Sequence, residues 1–70
     1  MTRPSGMQIR AEMPRMKWFR IPTELKRAFP NSPDYELYNM RSSICNILNK
    51  DLKWGVVSKC TIGNDVFWCI

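Results

Sequence analysis

The run Ser42–Ile70, SSICNILNKDLKWGVVSKCTIGNDVFWCI, constrains this chain more than any other feature. Its hydrophobic period changes at a glycine. Before Gly55, Leu37, Met40, Ile44, Ile47 and Leu48 recur at three- and four-residue spacing and share one helical face. Leu52 extends the stripe, and Gly55 suits the left-handed conformation that ends helices. Trp54–Cys60 and Val66–Ile70 are rich in β-formers and flank Ile62-Gly63-Asn64-Asp65. Gly63-Asn64 makes a good two-residue hairpin loop, because glycine takes the positive φ that a type II′ turn needs first. The segment reads as a long amphipathic helix joined directly to a β-hairpin.

That loop sets the register, with Lys59 facing Trp68 and Ser58 facing Cys69. One hairpin face then carries Val57, Lys59, Thr61, Val66, Trp68 and Ile70. The other carries Ser58, Cys60, Ile62, Asp65, Phe67 and Cys69. Both are half apolar, so patterning alone specifies the register only moderately.

Upstream, Lys17–Ile21 (KWFRI) suits a short edge strand that stops at Pro22. Thr23 offers an N-cap oxygen to a helix over 23–29, which would bury Leu25, Ala28 and Phe29 and end before Pro30. Ser32 repeats the start signal for the long helix, with Pro33 at its first position. In residues 1–6, Pro4 and Gly6 oppose regular structure, and Pro14 limits 7–16 to a short irregular helix at best. The expected organisation is a basic, partly flexible arm over 1–16 and one folded domain over 17–70.

In order, strand, helix, turn, long helix and hairpin resemble the winged helix-turn-helix family. Residues 17–70 carry the resemblance, chiefly through Ser42 to Val57. Small polar Ser42-Ser43, then Ile44 and Leu48, then Gly55 with Val56-Val57, match the family's recognition helix and its entry into the wing. Asp51 departs from the pattern where an apolar residue belongs, and the helix that precedes the family's first strand is weak here. The implied fold is α+β: a small winged-helix-like domain with a short strand, two helices and a C-terminal hairpin wing. The resemblance implies duplex DNA binding, with the long helix in the major groove and the wing near the backbone.

The residues supply their own candidates. Asn39, Ser42, Ser43, Asn46, Asn49 and Lys50 gather opposite the apolar stripe, and amide side chains can bond adenine N6 and N7 bidentately. Arg41 can reach guanine or phosphate, although its helical angle brings it nearer the apolar side. Lys50, Lys53 and Lys59 suit phosphate contacts. The net charge is +5, and its whole excess lies in residues 1–27. Arg3, Arg10 and Arg15 therefore join the candidate set as a basic arm attracting a polyanion.

Other chemistries find no support. Histidine is absent, so no cysteine or serine has an imidazole base, and Cys45, Cys60 and Cys69 lack the spacing of a zinc site. With only three glycines there is no phosphate-cradling loop. The chain reads as a non-enzyme without metal or cofactor. An odd cysteine count fits a reducing, cytoplasmic compartment, the host's if the chain is viral. No apolar run is long enough for a membrane span, and the first residues lack the apolar segment of a secretory signal.

The expected function is a small DNA-binding transcriptional regulator of mobile-element or viral type. The alternative is a phage-type interaction protein that uses the winged-helix shape to inhibit a host complex, such as a polymerase or defence system. Trp18, Phe19, Phe29, Trp54, Phe67 and Trp68 read mainly as core. One of Phe67 and Trp68 is expected at the surface, where it would invite a protein partner. Oligomeric state is left open, a homodimer included.

Overall fold

The structure, a computed structural model, describes residues 4–70. Within them the order is α1 (Gly6–Ala11), β1 (Trp18–Phe19), α2 (Ile21–Ala28), α3 (Asp34–Lys53), β2 (Ser58–Ile62) and β3 (Asp65–Cys69). The strands form one antiparallel sheet in the order β1-β3-β2. The helices cover one face of it, so the fold is α+β.

The helix-to-hairpin junction follows from local chemistry. Gly55 has φ +74°, the Val56 N–H donates to the Asp51 carbonyl at 3.0 Å, and the Gly55 N–H donates to Leu52 at 3.1 Å. This paired arrangement satisfies carbonyls that the last helical turn leaves open. It also takes up residues 54–57, so the second strand starts at Ser58 rather than Trp54. Gly63 has φ +61°, whereas Asn64 is not in the positive-φ region, which distinguishes a type II′ loop from type I′. The register is the expected one, with Lys59 opposite Trp68 and Ser58 opposite Cys69.

Three further boundaries differ from expectation. Helix α2 begins at Ile21, not Thr23; Arg20 is its N-cap, and Pro22 sits in the first turn, where an N–H has no intrahelical partner. That early start, with Met16 at φ +56°, reduces β1 to two residues. Pro33, not Ser32, precedes α3, which has no side-chain cap; Asp34 and Glu36 instead set negative charge against the positive helix end. At its other end Lys50 and Lys53 complement the dipole.

The core draws on every helix. Met40, Ile44 and Leu48 of α3 meet Leu25 of α2, Phe19 of β1 and Trp68 of β3. Ile9 and Met13 belong to the same buried cluster. Helix α1 therefore packs on α3 within the core that residues 17–70 build. Ser5 and Gln8 form a reciprocal capping box, with the Gln8 N–H donating to Ser5 Oγ at 3.3 Å and the Ser5 N–H to Gln8 Oε1 at 2.8 Å. The approach is close: a Cβ on Gly6 would run into the Ile47 side chain.

Aromatic placement departs in part from expectation. Phe19 and Trp68 are buried, while Phe29 and Phe67 are half-buried. The exposed tryptophans are Trp18, at 51%, and Trp54, at 82%.

Candidate nucleic-acid interface

Helix α3 divides into a buried and an outward side. With Ile44 at the centre of the buried side, Asn46 lies about 160° away and Ser42 and Asn49 lie close to it. All three are exposed, as are Lys50 and Lys53. Asn39 is half-buried. Ser43 is exposed, but its hydroxyl donates to the Asn39 carbonyl at 3.3 Å, so its donor is turned onto its own helix. The polar stripe is therefore chiefly Ser42, Asn46 and Asn49.

Cations flank this stripe on both sides. Lys50 lies about 120° from the buried centre on the side where α1 packs, and Arg41 about 60° from it on the other. Arg41, Asn49 and Lys59 line one groove between α3 and the hairpin, joined there by Arg20, Asn64 and Asp65. Lys59 is anchored by Trp68, its ammonium 5.2 Å from the ring centroid. Arg41 is exposed rather than tucked toward the core and also borders a depression with Tyr38, Ser42 and Asn46. Tyr38 is absent from the candidates read in sequence. Its spacing to Ser42 and Asn46, one helical turn at a time, is the signal that would have found it.

The arm's arginines behave differently from one another. Arg10 Nε donates to Asp51 Oδ2 at 2.7 Å, and each side chain is about three-quarters buried, with 24% and 23% exposed. Asp51, the residue that breaks the apolar pattern, thereby ties α1 to the last turns of α3. Arg20 pairs with Asp65 at 2.9 Å and Arg27 with Glu24 at 3.0 Å. Arg27 also donates to the Glu12 carbonyl. Arg15 is exposed and makes no ion pair, and Arg3 lies outside the described residues. Among the described residues, the cations without an ion pair are Arg15, Lys17, Lys26, Arg41, Lys50, Lys53 and Lys59. Four of these seven belong to α3 and the hairpin.

Two further features bear on partners. No helix among the described residues is long and apolar enough to cross a membrane. Cys45, Cys60 and Cys69 are free thiols, with Cys60 exposed on the sheet's outer face. Compared with known protein families, curated proteins and solved structures, the chain has no significant match to any of them.

Proposed function

We propose that this protein is a small winged-helix DNA-binding regulator that reads duplex DNA with α3. The observation carrying this reading is the stripe Ser42-Asn46-Asn49 flanked by cations that no carboxylate neutralises. A groove-bound helix needs hydrogen-bonding side chains at its centre and positive charge toward the two phosphate backbones. Element order supports the same reading. α1 takes the place of the helix that precedes the family's first strand, and the hairpin after Gly55 takes the place of the wing. Lys59 in that hairpin would meet a backbone phosphate, with Arg41 and Asn49 beside it.

The test is selection from a randomised duplex pool, followed by measurement with Asn46→Ala. The expected result is an enriched sequence, intact folding, and about 1–3 kcal/mol less discrimination at one base pair. Binding to unrelated sequences should hardly change, because the phosphate contacts survive. If no sequence is enriched and Asn46→Ala alters nothing, the stripe meets only water.

A second reading, binding to a host protein, draws on Trp54. At 82% exposure, beside exposed Val56, it gives an apolar projection outside the polar stripe. Loss of a protein partner in Trp54→Ala, with duplex binding absent in the parent, would select this reading.

A further inference from the structure

Among the described residues, the sheet has one long open edge. In the order β1-β3-β2, β3 is paired on both sides, and β1 is only two residues long. Strand β2 has five residues, all exposed, paired on one side only.

The hairpin loop determines which groups face outward. A two-residue loop is closed by a hydrogen-bonded pair, here Ile62 with Asp65, and bonding then alternates along the ladder. Ile62, Cys60 and Ser58 direct their backbone N–H and C=O toward β3. Lys59 and Thr61 direct theirs away from the sheet.

Two devices that normally blunt such an edge, a proline and a bulge, are missing. There is no proline in β2, and its pairing with β3 runs without a bulge from Ser58 to Ile62. Its single charge, Lys59, is drawn over the Trp68 ring on the inner face. The outer face of the strand carries Ser58, Cys60 and Ile62, with Ile62 at 64% exposure.

We propose that two copies of this chain pair through β2, antiparallel, about a two-fold axis at Cys60. Charge selects the register, and a register that opposes no like charges lets a second copy be the partner. Strands that share a sheet must match outward-bonding residues and side-chain faces, so the axis must pass through a residue rather than between two. An axis at Lys59 sets ammonium directly against ammonium. An axis at Thr61 sets Lys59 against the loop glycine, Gly63. An axis at Cys60 sets Lys59 opposite Thr61 and Ser58 opposite Ile62, with no like charges opposed. Lys59 and Thr61 then exchange four backbone hydrogen bonds, and Cys60 faces its own copy in a non-bonded pair.

The contact is isologous, so it closes as a dimer instead of growing into a filament. Its axis is perpendicular to the sheet. Both sets of helices therefore lie on the same side, and both outward faces of α3 point the same way. The pairing itself requires no nucleic acid and stands apart from the DNA-binding reading.

Sedimentation velocity across a concentration series, with the full chain and no DNA, tests the assembly. A concentration-dependent dimer is expected. It should strengthen as salt rises, because each copy carries a net charge of +5 and screening reduces their repulsion. Thr61→Pro removes an N–H that points away from β3. It should therefore leave the circular dichroism spectrum unchanged and yield a monomer. A second measurement does not depend on that variant folding. Cα atoms in a non-bonded antiparallel pair are about 4.5 Å apart, within disulfide range. Diamide should oxidise two Cys60 thiols to one intermolecular disulfide, taking up their two protons and two electrons as it becomes the hydrazine. Covalent dimer should be lost in Cys60→Ser and kept in Cys69→Ser. A parent that stays monomeric at every concentration, a folded Thr61→Pro variant that still dimerises, or a cross-link indifferent to Cys60 would each overturn the proposal. Failure here leaves sequence-specific DNA binding by a monomer untouched.

Discussion

If the protein binds duplex DNA as proposed, the salt dependence of that binding gives the sharpest test of which cations meet it. If Arg41, Lys50, Lys53 and Lys59 each neutralise a phosphate, log K should fall against log salt with a slope of about −3.6. Between 50 and 200 mM salt that is roughly a 150-fold loss of affinity. Replacing Lys50 by Gln should reduce the slope to about −2.7, and the loss over the same interval to roughly 40-fold. Lys53→Gln and Lys59→Gln should each do the same.

Arg10→Gln is the discriminating control. Arg10 is already bonded to Asp51 at 2.7 Å, so its removal should leave the slope unchanged. It should instead lower stability by about 1–3 kcal/mol, because the Asp51 carboxylate loses its partner while largely buried. Fluorescence anisotropy with a labelled duplex, titrated at several salt concentrations well below the melting temperature, measures the slopes. If Arg10→Gln reduces the slope as much as Lys50→Gln does, the ion pair opens on binding and the assignment fails. If none of the three lysine substitutions changes it, the polyanion contacts lie elsewhere, with Arg15, Lys17, Lys26 and Arg41 the remaining unpaired cations among the described residues.

Two expectations concern the fold itself. Leu48 is completely buried on α3, and Leu48→Ala should cost about 2–5 kcal/mol in urea unfolding, comparable to the whole stability of a chain this small. Met16 sits at φ +56° with its side chain exposed, so Met16→Asn should stabilise by about 0.5–1 kcal/mol, measured in the same assay.

The parts legible in sequence were those set by local chemistry. Apolar spacing identified α3, and Gly55 and Gly63-Asn64 located the cap, the loop and the strand register. Pro22 misled because proline can stop a strand or enter a helix's first turn, and flanking residues alone do not choose between them. Helix α1 was legible in part. Ser5 and Gln8 form the capping-box pattern, but Pro4 and Gly6 argue against helix, and the burial of Ile9 and Met13 on α3 outweighs them. No local signal marks the Arg10–Asp51 pair, whose members lie 41 residues apart. Asp51 appeared only as a break in the apolar stripe, although that break is where α1 is tied down.

The same pairing changes where positive charge is available. By sequence, the excess over acids lies entirely in residues 1–27, and the remainder is neutral. Folding sets Arg10 on Asp51 and Arg20 on Asp65, so two leading arginines neutralise two acids of α3 and the hairpin. Among the described residues, the acids from residue 28 onward without an ion pair are Asp34 and Glu36, both in the first turn of α3. Arg41, Lys50, Lys53 and Lys59 then stand without an ion pair along the rest of that helix and into the hairpin. Lys59 links the two proposals. Held over Trp68, its ammonium lies in the groove beside Arg41 and Asn49, where a phosphate can reach it, and its absence from the outer edge leaves β2 open to a second strand. One side-chain placement thus bears on two proposed associations with opposite expected responses to salt. Duplex binding, as proposed, would weaken as ions compete for phosphate, and the proposed pairing of two copies would tighten as their mutual repulsion is screened.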